Sequence, residues 1–327
     1  MKIKTLLILL LLCSGISSWG QEQKYSNKYG MKLTQNEDGS FSLQKEKKYA
    51  KIIDLSKVED LLVPYKYKAV KLKKDTYSKT ETSTITYKTY PGYSLKIDID
   101  KAQSDKPTPV VFFVHGGGWK KGSYVAFTQL SKYLAQQHNV TGVRIMYSLA
   151  PQENASIEVT IKDIIDAVQY IKDHAKEYNI DPKRIGFCGH SAGAHLAACG
   201  ALKTGAKVLV AYSGVYDFTT ASVIKKTKSK DMITYFGGMD PQVLEKTSPI
   251  NMINKKGKLA AQLYCGTADL IVEHRQTLDF AAALKKNKGY LVDLKVYENY
   301  EHSLHGKSSD KMEEIFFKSV DFLTTNL

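Results

Sequence analysis

The sequence contains very little arginine. Only 3 of its 47 basic residues are arginines, so 44 are lysines, and the formal net charge is +14. Because bidentate contacts to phosphate and guanine favour arginine, this composition argues against a protein that recognises nucleic acid. The lysine excess fits a solvated surface, and attraction to an anionic surface or polymer remains the open alternative.

Cysteine and proline are also scarce. One of the four cysteines, Cys13, lies close to the N-terminus, which leaves Cys188, Cys199 and Cys265. An odd number of cysteines cannot form a framework made only of disulfides. Their apolar or small neighbours predict buried free thiols, with one disulfide as the alternative. The 8 prolines and 43% hydrophobic residues exclude a mainly disordered or collagen-like chain.

The N-terminal hydrophobic run is too short to cross a bilayer. This run, Leu6–Leu12, follows Lys2 and Lys4 and precedes small residues that end at Gly20. A basic start, a short apolar core and a small-residue ending are typical of a secretory signal peptide, here residues 1–20. We therefore expect an exported protein, secreted or periplasmic, without a stable membrane anchor.

From about residue 80, patterns typical of strands alternate with patterns typical of helices. The apolar run Val110–Val114 predicts a strand that is buried on both faces. Apolar residues at helical spacing predict an amphipathic helix from Ile161 to Lys172, with Asp163 and Asp166 on its solvated side. The alternation predicts an α/β fold, in which a mostly parallel sheet carries helices on both faces.

The strongest motif is Gly189-His190-Ser191-Ala192-Gly193, which lies between a predicted strand and a predicted helix. A nucleophilic serine on a sharp strand-to-helix turn has strained backbone geometry, so the residues two positions away must be small. The N-terminus of the helix also directs the Ala192 amide at a developing oxyanion. The motif therefore predicts Ser191 as the nucleophile and Ala192 as an oxyanion donor.

A second motif, His115-Gly116-Gly117-Gly118-Trp119, follows the Val110–Val114 strand. Successive glycines allow main-chain N–H groups to approach a ligand oxygen closely. We expect His115 to brace this loop. Trp119 is expected either to line a substrate pocket or to pack beneath the loop.

Two histidines near the first motif allow more than one interpretation. His190, inside the first motif, is expected to be either a structural residue or a substrate-binding residue at the rim. His195, on the helix behind the motif, has the same two interpretations. His302 and His305 lie close together, but the sequence contains no H-E-x-x-H motif of the kind that binds zinc. We therefore expect no metal site and no cofactor.

Together, the two motifs resemble those of esterases in the α/β-hydrolase superfamily that carry an HGGGW oxyanion loop. The similarity covers about residues 85–325. The segments Tyr147–Pro151 and Ser213–Asp217 are most similar to the bacterial feruloyl-esterase-like and arylformamidase-like enzymes, which are related to the hormone-sensitive-lipase-like group. This resemblance implies the α/β-hydrolase fold with an eight-stranded sheet. It also implies that the Gly117 and Gly118 amides join Ala192 in the oxyanion hole.

The same resemblance implies the chain order serine, acid, histidine. Asp269 matches the acid position within Cys265–Val272, and Glu273 is the reserve candidate. His302 matches the position of the base, and His305 is the alternative three residues further along.

The sequence departs from the family pattern at three places, one of them the absence of the usual proline near Glu158. Ser303 and Leu304 replace the Gly-Phe pair that usually follows the histidine, which weakens the match between His302 and the family's histidine position. Ser148 replaces an arginine that is common after Tyr147.

The expected domain organisation has three parts: a signal peptide over 1–20, an N-terminal extension or small cap over 21–80, and a catalytic domain over 81–327. An insert at 215–257 is expected near the active site. The expected function is that of an exported serine carboxylic-ester hydrolase for short-chain or aromatic acyl esters, carbohydrate-linked esters among them. An amide hydrolase of arylformamidase or small-peptide type is the first alternative. A non-catalytic binding protein on a hydrolase scaffold is the second. The sequence predicts no oligomeric state.

Overall fold

The computed structural model describes residues 72–327, except 226 and 305–309, and four short strands within residues 24–53. The chain divides into two compact units, Met1–Pro64 and Tyr65–Leu327. The predicted signal peptide lies outside the described residues. Within the described ranges, no helix combines the length and the apolar character that crossing a membrane requires.

The first unit contains an antiparallel sheet with the order β1-β2-β3-β4. Its strands are β1 (Lys24–Ser26), β2 (Met31–Gln35), β3 (Phe41–Lys45) and β4 (Tyr49–Ile53). The register places Leu33 opposite Leu43. The sequence pattern alone does not predict these strands. Strands of three to five residues are too short to show a clear alternation of polar and apolar residues.

The second unit contains an eight-stranded sheet with the order β12-β11-β10-β9-β7-β8-β6-β5. β6 pairs antiparallel with both β5 and β8, and the other neighbours pair in parallel, which confirms the predicted mostly parallel sheet. The strands are β5 (Thr82–Tyr90), β6 (Tyr93–Asp100), β7 (Thr108–Val114), β8 (Thr141–Ile145), β9 (Ile180–His190), β10 (Val208–Tyr212), β11 (Leu259–Gly266) and β12 (Tyr290–Tyr297).

The helices connect these strands in chain order. They are α1 (Thr128–His138), α2 (Ile157–Asp173), α3 (Ala192–Thr204), α4 (Ser222–Lys225), α5 (Lys230–Tyr235), α6 (Pro241–Lys246), α7 (His274–Lys285) and α8 (Asp310–Asn326). The short helices α4, α5 and α6 all lie in the predicted insert between β10 and β11.

Helices cover both faces of the sheet, as predicted. Along β7 the side chains alternate: Phe112 packs in a core with residues of α2, α3 and α7, whereas Phe113 packs in a second core with residues of α1 and α8. Because both faces of β7 are buried, its sequence is continuously apolar from Val110 to Val114. The free thiols of Cys188, Cys199 and Cys265 are buried in these layers, as predicted.

The sheet topology brings distant motifs to one edge. β7, β9, β10, β11 and β12 run in parallel, so their carboxyl ends lie side by side. The segments that follow these ends include both glycine motifs, Asp269 and His302. In open parallel sheets, ligands bind at this edge.

Asp163 does not lie on the solvated side of α2, in contrast to the prediction. Its side chain is completely buried and accepts hydrogen bonds from Lys88 Nζ at 2.8 Å, the Tyr90 hydroxyl at 2.7 Å and the Ser148 main-chain N–H at 3.0 Å. The reason is tertiary: side chains of β5 reach over this side of the helix. Partial burial disfavours the Lys88 cation, but its hydrogen bonds to Asp163 and Asp166 outweigh that effect and raise the pKa of Lys88.

Candidate active site

Ser191 lies on a sharp turn between β9 and α3. Its backbone has φ 55° and ψ −123°, a conformation that residues other than glycine rarely adopt. A Cβ on Gly193 would lie 2.1 Å from the Val114 carbonyl oxygen, and a Cβ on Gly189 would lie 2.3 Å from the Gly193 carbonyl oxygen. Both positions therefore require glycine, as the motif predicts. The Ser191 N–H donates to the Tyr212 carbonyl at 2.8 Å, which fixes the turn to β10.

The structure brings Ser191, His302 and Asp269 into one hydrogen-bonded chain. The Ser191 hydroxyl donates to His302 Nε2 at 2.8 Å, and His302 Nδ1–H donates to Asp269 Oδ2 at 2.7 Å. The other carboxylate oxygen of Asp269 accepts from the main-chain N–H groups of Ile271 and Val272, each at 2.9 Å. One oxygen of Asp269 is thus held by its own loop, while the other faces the imidazole. This geometry suits proton transfer from the serine to the histidine.

Glu273, the reserve acid, has a different place. It precedes α7, and its carboxylate accepts from the Ser222 N–H at 3.4 Å. Asp269 is the acid that contacts His302. The alternative base, His305, lies outside the described residues.

The loops that carry the acid and the base are bonded to each other. The Ala268 N–H donates to the Tyr300 carbonyl at 2.9 Å, and the Asn299 N–H donates to the Thr267 hydroxyl at 2.8 Å. Asn299 has φ 62°, a left-handed conformation that asparagine tolerates better than most residues. Sequence analysis missed these contacts, although Asn299 is a residue type that signals such a turn.

The glycine loop lies directly against the serine turn. A Cβ on Gly116 would lie 3.3 Å from Ser191 Cβ. Gly117 has φ 121°, and a Cβ there would lie 1.9 Å from the Lys121 carbonyl oxygen, so this turn can close only with glycine. In the part of the chain that the structure describes, the N–H groups of Gly117 and Gly118 have no acceptor. These amides and that of Ala192 are available for a ligand oxygen.

His115 braces the glycine loop, as expected. Its ring stacks on Tyr147 with ring centroids 4.3 Å apart, and the Tyr147 hydroxyl donates to the His115 carbonyl at 2.7 Å. Burial lowers the pKa of His115 to about 4, and a hydrogen bond to the Gly116 carbonyl only partly opposes this effect. His115 is therefore neutral at pH 7 and bonds within its own loop.

Trp119 packs in the core behind the glycine loop. Its side chain is 3% exposed and makes edge-to-face contacts with His195, Phe218 and Phe236, with ring centroids 5.3 to 5.6 Å apart. Of the two expectations for Trp119, the structure favours packing beneath the loop. Phe218 and Phe236 belong to the predicted insert, so Trp119 joins that insert to the glycine loop.

His190 is not at the rim of the site, contrary to the substrate-binding expectation. It is 2% exposed, and its Nε2–H donates to the main-chain carbonyl of His302 at 3.1 Å. The two imidazole rings pack edge to face, with centroids 5.0 Å apart. The chain reverses sharply after β9, which turns the His190 side chain towards the His302 loop. No sequence pattern indicates this contact.

The burial of His195 leads us to expect a pH-dependent stability. This completely buried histidine donates from Nε2 to the Thr247 carbonyl at 2.8 Å, and burial lowers its pKa from 6.5 to about 4. Below about pH 6.5 the unfolded chain binds a proton that the folded chain still excludes, so stability falls as the pH decreases towards 4.

We expect the free energy of unfolding to fall by about 3 kcal/mol more in the wild type than in His195→Gln between pH 7.5 and pH 4. The glutamine keeps a donor but has no group that titrates in this range. Urea unfolding at a series of pH values measures the difference. If the free energy of unfolding changed with pH by the same amount in both proteins, His195 would not contribute to the pH dependence of stability.

Among the described residues, no group of three or more His, Cys, Asp or Glu side chains is arranged to hold a metal ion. The site is instead made of a serine, an imidazole, a carboxylate and main-chain amides. These are the components that acyl transfer to water requires.

The sequence is similar to those of several known proteins. Over 108 residues it is 34% identical to an esterase of Gibberella moniliformis, which covers 33% of each chain. Over 101 residues it is 36% identical to an acetyl esterase of Salmonella schwarzengrund, covering 30% of this chain and 31% of that one. The chain thus spans about a third of the length of these curated relatives.

The structure is similar to that of esterase 2 from Thermogutta terrifontis in its apo form. The match has a TM-score of 0.63 and 24% sequence identity, and it covers 76% of this chain and 95% of the other. At this identity the similarity shows the α/β-hydrolase fold, which agrees with the fold that the motifs predict.

The BD-FAE family model matches residues 95–284, which are 190 of the 327 residues. The matched range begins in β6 and ends within α7, so it includes the glycine loop, Ser191 and Asp269 but not His302. From this match and from the eight-stranded sheet, we conclude that the chain belongs to the BD-FAE family and has the α/β-hydrolase fold.

Proposed function

We propose that the protein is a serine carboxylic-ester hydrolase. The observation that carries this proposal is the hydrogen-bonded chain from Ser191 through His302 to Asp269. A serine, a histidine and a carboxylate in this order form a nucleophile with its base and with the group that orients the base. The esterase relatives support the same reaction.

In the proposed mechanism, Ser191 Oγ attacks the ester carbonyl while His302 Nε2 accepts the hydroxyl proton. The protonated imidazole then gives this proton to the leaving alcohol. Asp269 holds the imidazole in the required tautomer and stabilises its positive charge. Water next attacks the acyl-enzyme by the same steps in reverse, which releases the acid and restores Ser191.

The oxyanion of each tetrahedral intermediate would be held by the amides of Gly117, Gly118 and Ala192. The left-handed conformations of Gly117 and Gly118 and the position of Ala192 at the start of α3 support this role. The helix N-terminus adds a partial positive charge beside the developing negative charge. Each such donor is worth about 10²–10³ in kcat.

We further propose that the acyl group is short. Trp119 follows the oxyanion glycines directly and is closely packed against Phe218 and Phe236, so this aromatic cluster occupies the space behind the loop. A long acyl chain gains about 0.8 kcal/mol per CH₂ only where it can bury the chain in apolar surroundings. The acetyl esterase among the relatives agrees with a short acyl group. The proposal also includes esters of aromatic acids and esters whose alcohol is a carbohydrate.

We expect kcat/KM for aryl esters to fall steeply from acetyl and butyryl to octanoyl. Hydrolysis of 4-nitrophenyl esters of graded chain length measures this series. A maximum at eight carbons or more would contradict the short-acyl proposal and would favour a lipase-like function.

An acetanilide assayed beside the acetate ester separates ester from amide hydrolysis, and faster amide turnover would favour the arylformamidase-like alternative.

Export is also a proposal, supported by the pattern of residues 1–20. Sequencing the N-terminus of the mature protein from the extracytoplasmic fraction tests it, and we expect a start at Gln21. A retained Met1 in the cytoplasmic fraction would contradict export.

A further inference from the structure

We propose that His190 is a positioning residue that holds the catalytic base in place. This inference rests on the proposed function, because it assigns to His190 an effect on proton transfer by His302. His190 is the last residue of β9 and directly precedes Ser191. The strand that presents the nucleophile would therefore also fix the position of the base.

His190 contacts His302 in two ways, through a hydrogen bond and through the packing of the two rings. A carbonyl oxygen only accepts hydrogen bonds, so Nε2 of His190 carries a proton and donates it to the His302 carbonyl at 3.1 Å. The edge-to-face packing of the rings, at 5.0 Å between centroids and 61° between planes, restricts the tilt of the His302 imidazole. His190 thus acts on both the main chain and the ring of His302.

The hydrogen bond from His190 is one of the contacts that hold the loop of His302, in which the Leu304 N–H also donates to the Glu301 carbonyl at 2.9 Å. Upstream of His302, the backbone is tied to the acid loop through the bond from Ala268 to Tyr300. Leu304, two residues after His302, has a left-handed φ of 55°, so the chain changes direction directly beyond the base. The hydrogen bond from His190 is made to His302 itself, between these two points.

His190 also contacts the glycine loop on its other side. A Cβ on Gly116 would lie 3.0 Å from His190 Nδ1 and 2.9 Å from the His190 carbonyl oxygen. The imidazole of His190 is therefore packed between the proposed oxyanion loop and the base. One buried side chain would set the spacing of the nucleophile, the base and the oxyanion donors.

The test compares His190→Met with His190→Gln. Methionine fills a similar volume without a donor, whereas the amide nitrogen of glutamine reaches about as far as Nε2. We expect His190→Met to lower kcat by about 30- to 100-fold with KM within about threefold, because a small misplacement of reacting groups can cost about 10² in rate. His190→Gln should stay within about fivefold of the wild type. If His190→Met does not fold, His190→Asn replaces it, because its shorter amide cannot reach the His302 carbonyl.

A second readout separates positioning from general stability. The rate at which an aryl phosphonate labels Ser191 should fall by the same factor as kcat, since this reaction also needs His302. Tyr290→Phe is the matched control: it loses the hydrogen bond from the Tyr290 hydroxyl to the Asn254 carbonyl at 3.0 Å, and Tyr290 is the first residue of β12, at the end of the strand opposite to the one that leads to His302. It should lower the melting temperature and leave kcat within about twofold.

The outcomes distinguish this inference from the proposed function. If the wild type neither hydrolyses aryl esters nor is labelled at Ser191, the proposed function fails. If the wild type is active and His190→Met keeps kcat within threefold, only the positioning role fails. A rise in KM at unchanged kcat would instead show that His190 contacts the substrate, and loss of rescue by His190→Gln would show that the donor is not what matters.

Discussion

Ser191→Ala should lower kcat for an aryl acetate by about 10⁶-fold while leaving the protein folded. The side chain lost is the nucleophile, and His302 and Asp269 have no function without it, because the three groups act as a unit. Residual hydrolysis would come from water held near the oxyanion donors. Steady-state kinetics together with a melting curve measures both parts of this expectation.

Labelling identifies the serine independently of turnover. A serine-directed phosphonate should label Ser191 in the wild type and no serine in Ser191→Ala. Ser104→Ala is the control, because Ser104 precedes β7 at the opposite edge of the sheet and its hydroxyl bonds to the main chain of Lys106 in the same turn. Hydrolysis by Ser191→Ala at nearly the rate of the Ser104→Ala control would rule out the assignment.

His302→Ala should have an effect of similar size, about 10⁶-fold in kcat, because the serine hydroxyl is a poor nucleophile without its base. Asp269→Asn should cost about 10⁴-fold, since the amide favours the wrong tautomer of the imidazole. The ratio of the two losses in kcat separates the contribution of proton transfer by His302 from that of its orientation by Asp269. Initial rates with 4-nitrophenyl acetate are sufficient to measure both.

Two neighbouring residues serve as controls for these substitutions. His305→Ala and Glu273→Gln should keep kcat within about tenfold, because neither is expected to take part in proton transfer (~1.4 kcal/mol or less). If His305→Ala were inactive and His302→Ala active, the base would lie three residues further along the chain. If Glu273→Gln lowered kcat more than Asp269→Asn did, Glu273 would replace Asp269 as the assigned acid.

Much of the fold was predictable because its signals are local. β7 is continuously apolar from Val110 to Val114, since helices cover both of its faces, and the apolar spacing of α2 is clear over its length. The short strands of residues 24–53 were not predicted, because segments of three to five residues carry too little periodicity. Asp163 was placed on the wrong side of α2, since only the packing of β5 against this helix makes that side an interior one.

The sequence by itself determined the turn around Ser191 and the glycine loop. Both depend on steric limits within a few residues: a side chain at Gly189 would collide with the Gly193 main chain, and one at Gly117 would collide with the Lys121 main chain. Only the tertiary structure decided that Asp269, and not Glu273, contacts His302, and that His190 contacts the loop of the base. These contacts join residues separated by up to 112 positions, and no pattern within one segment encodes the distance between two segments.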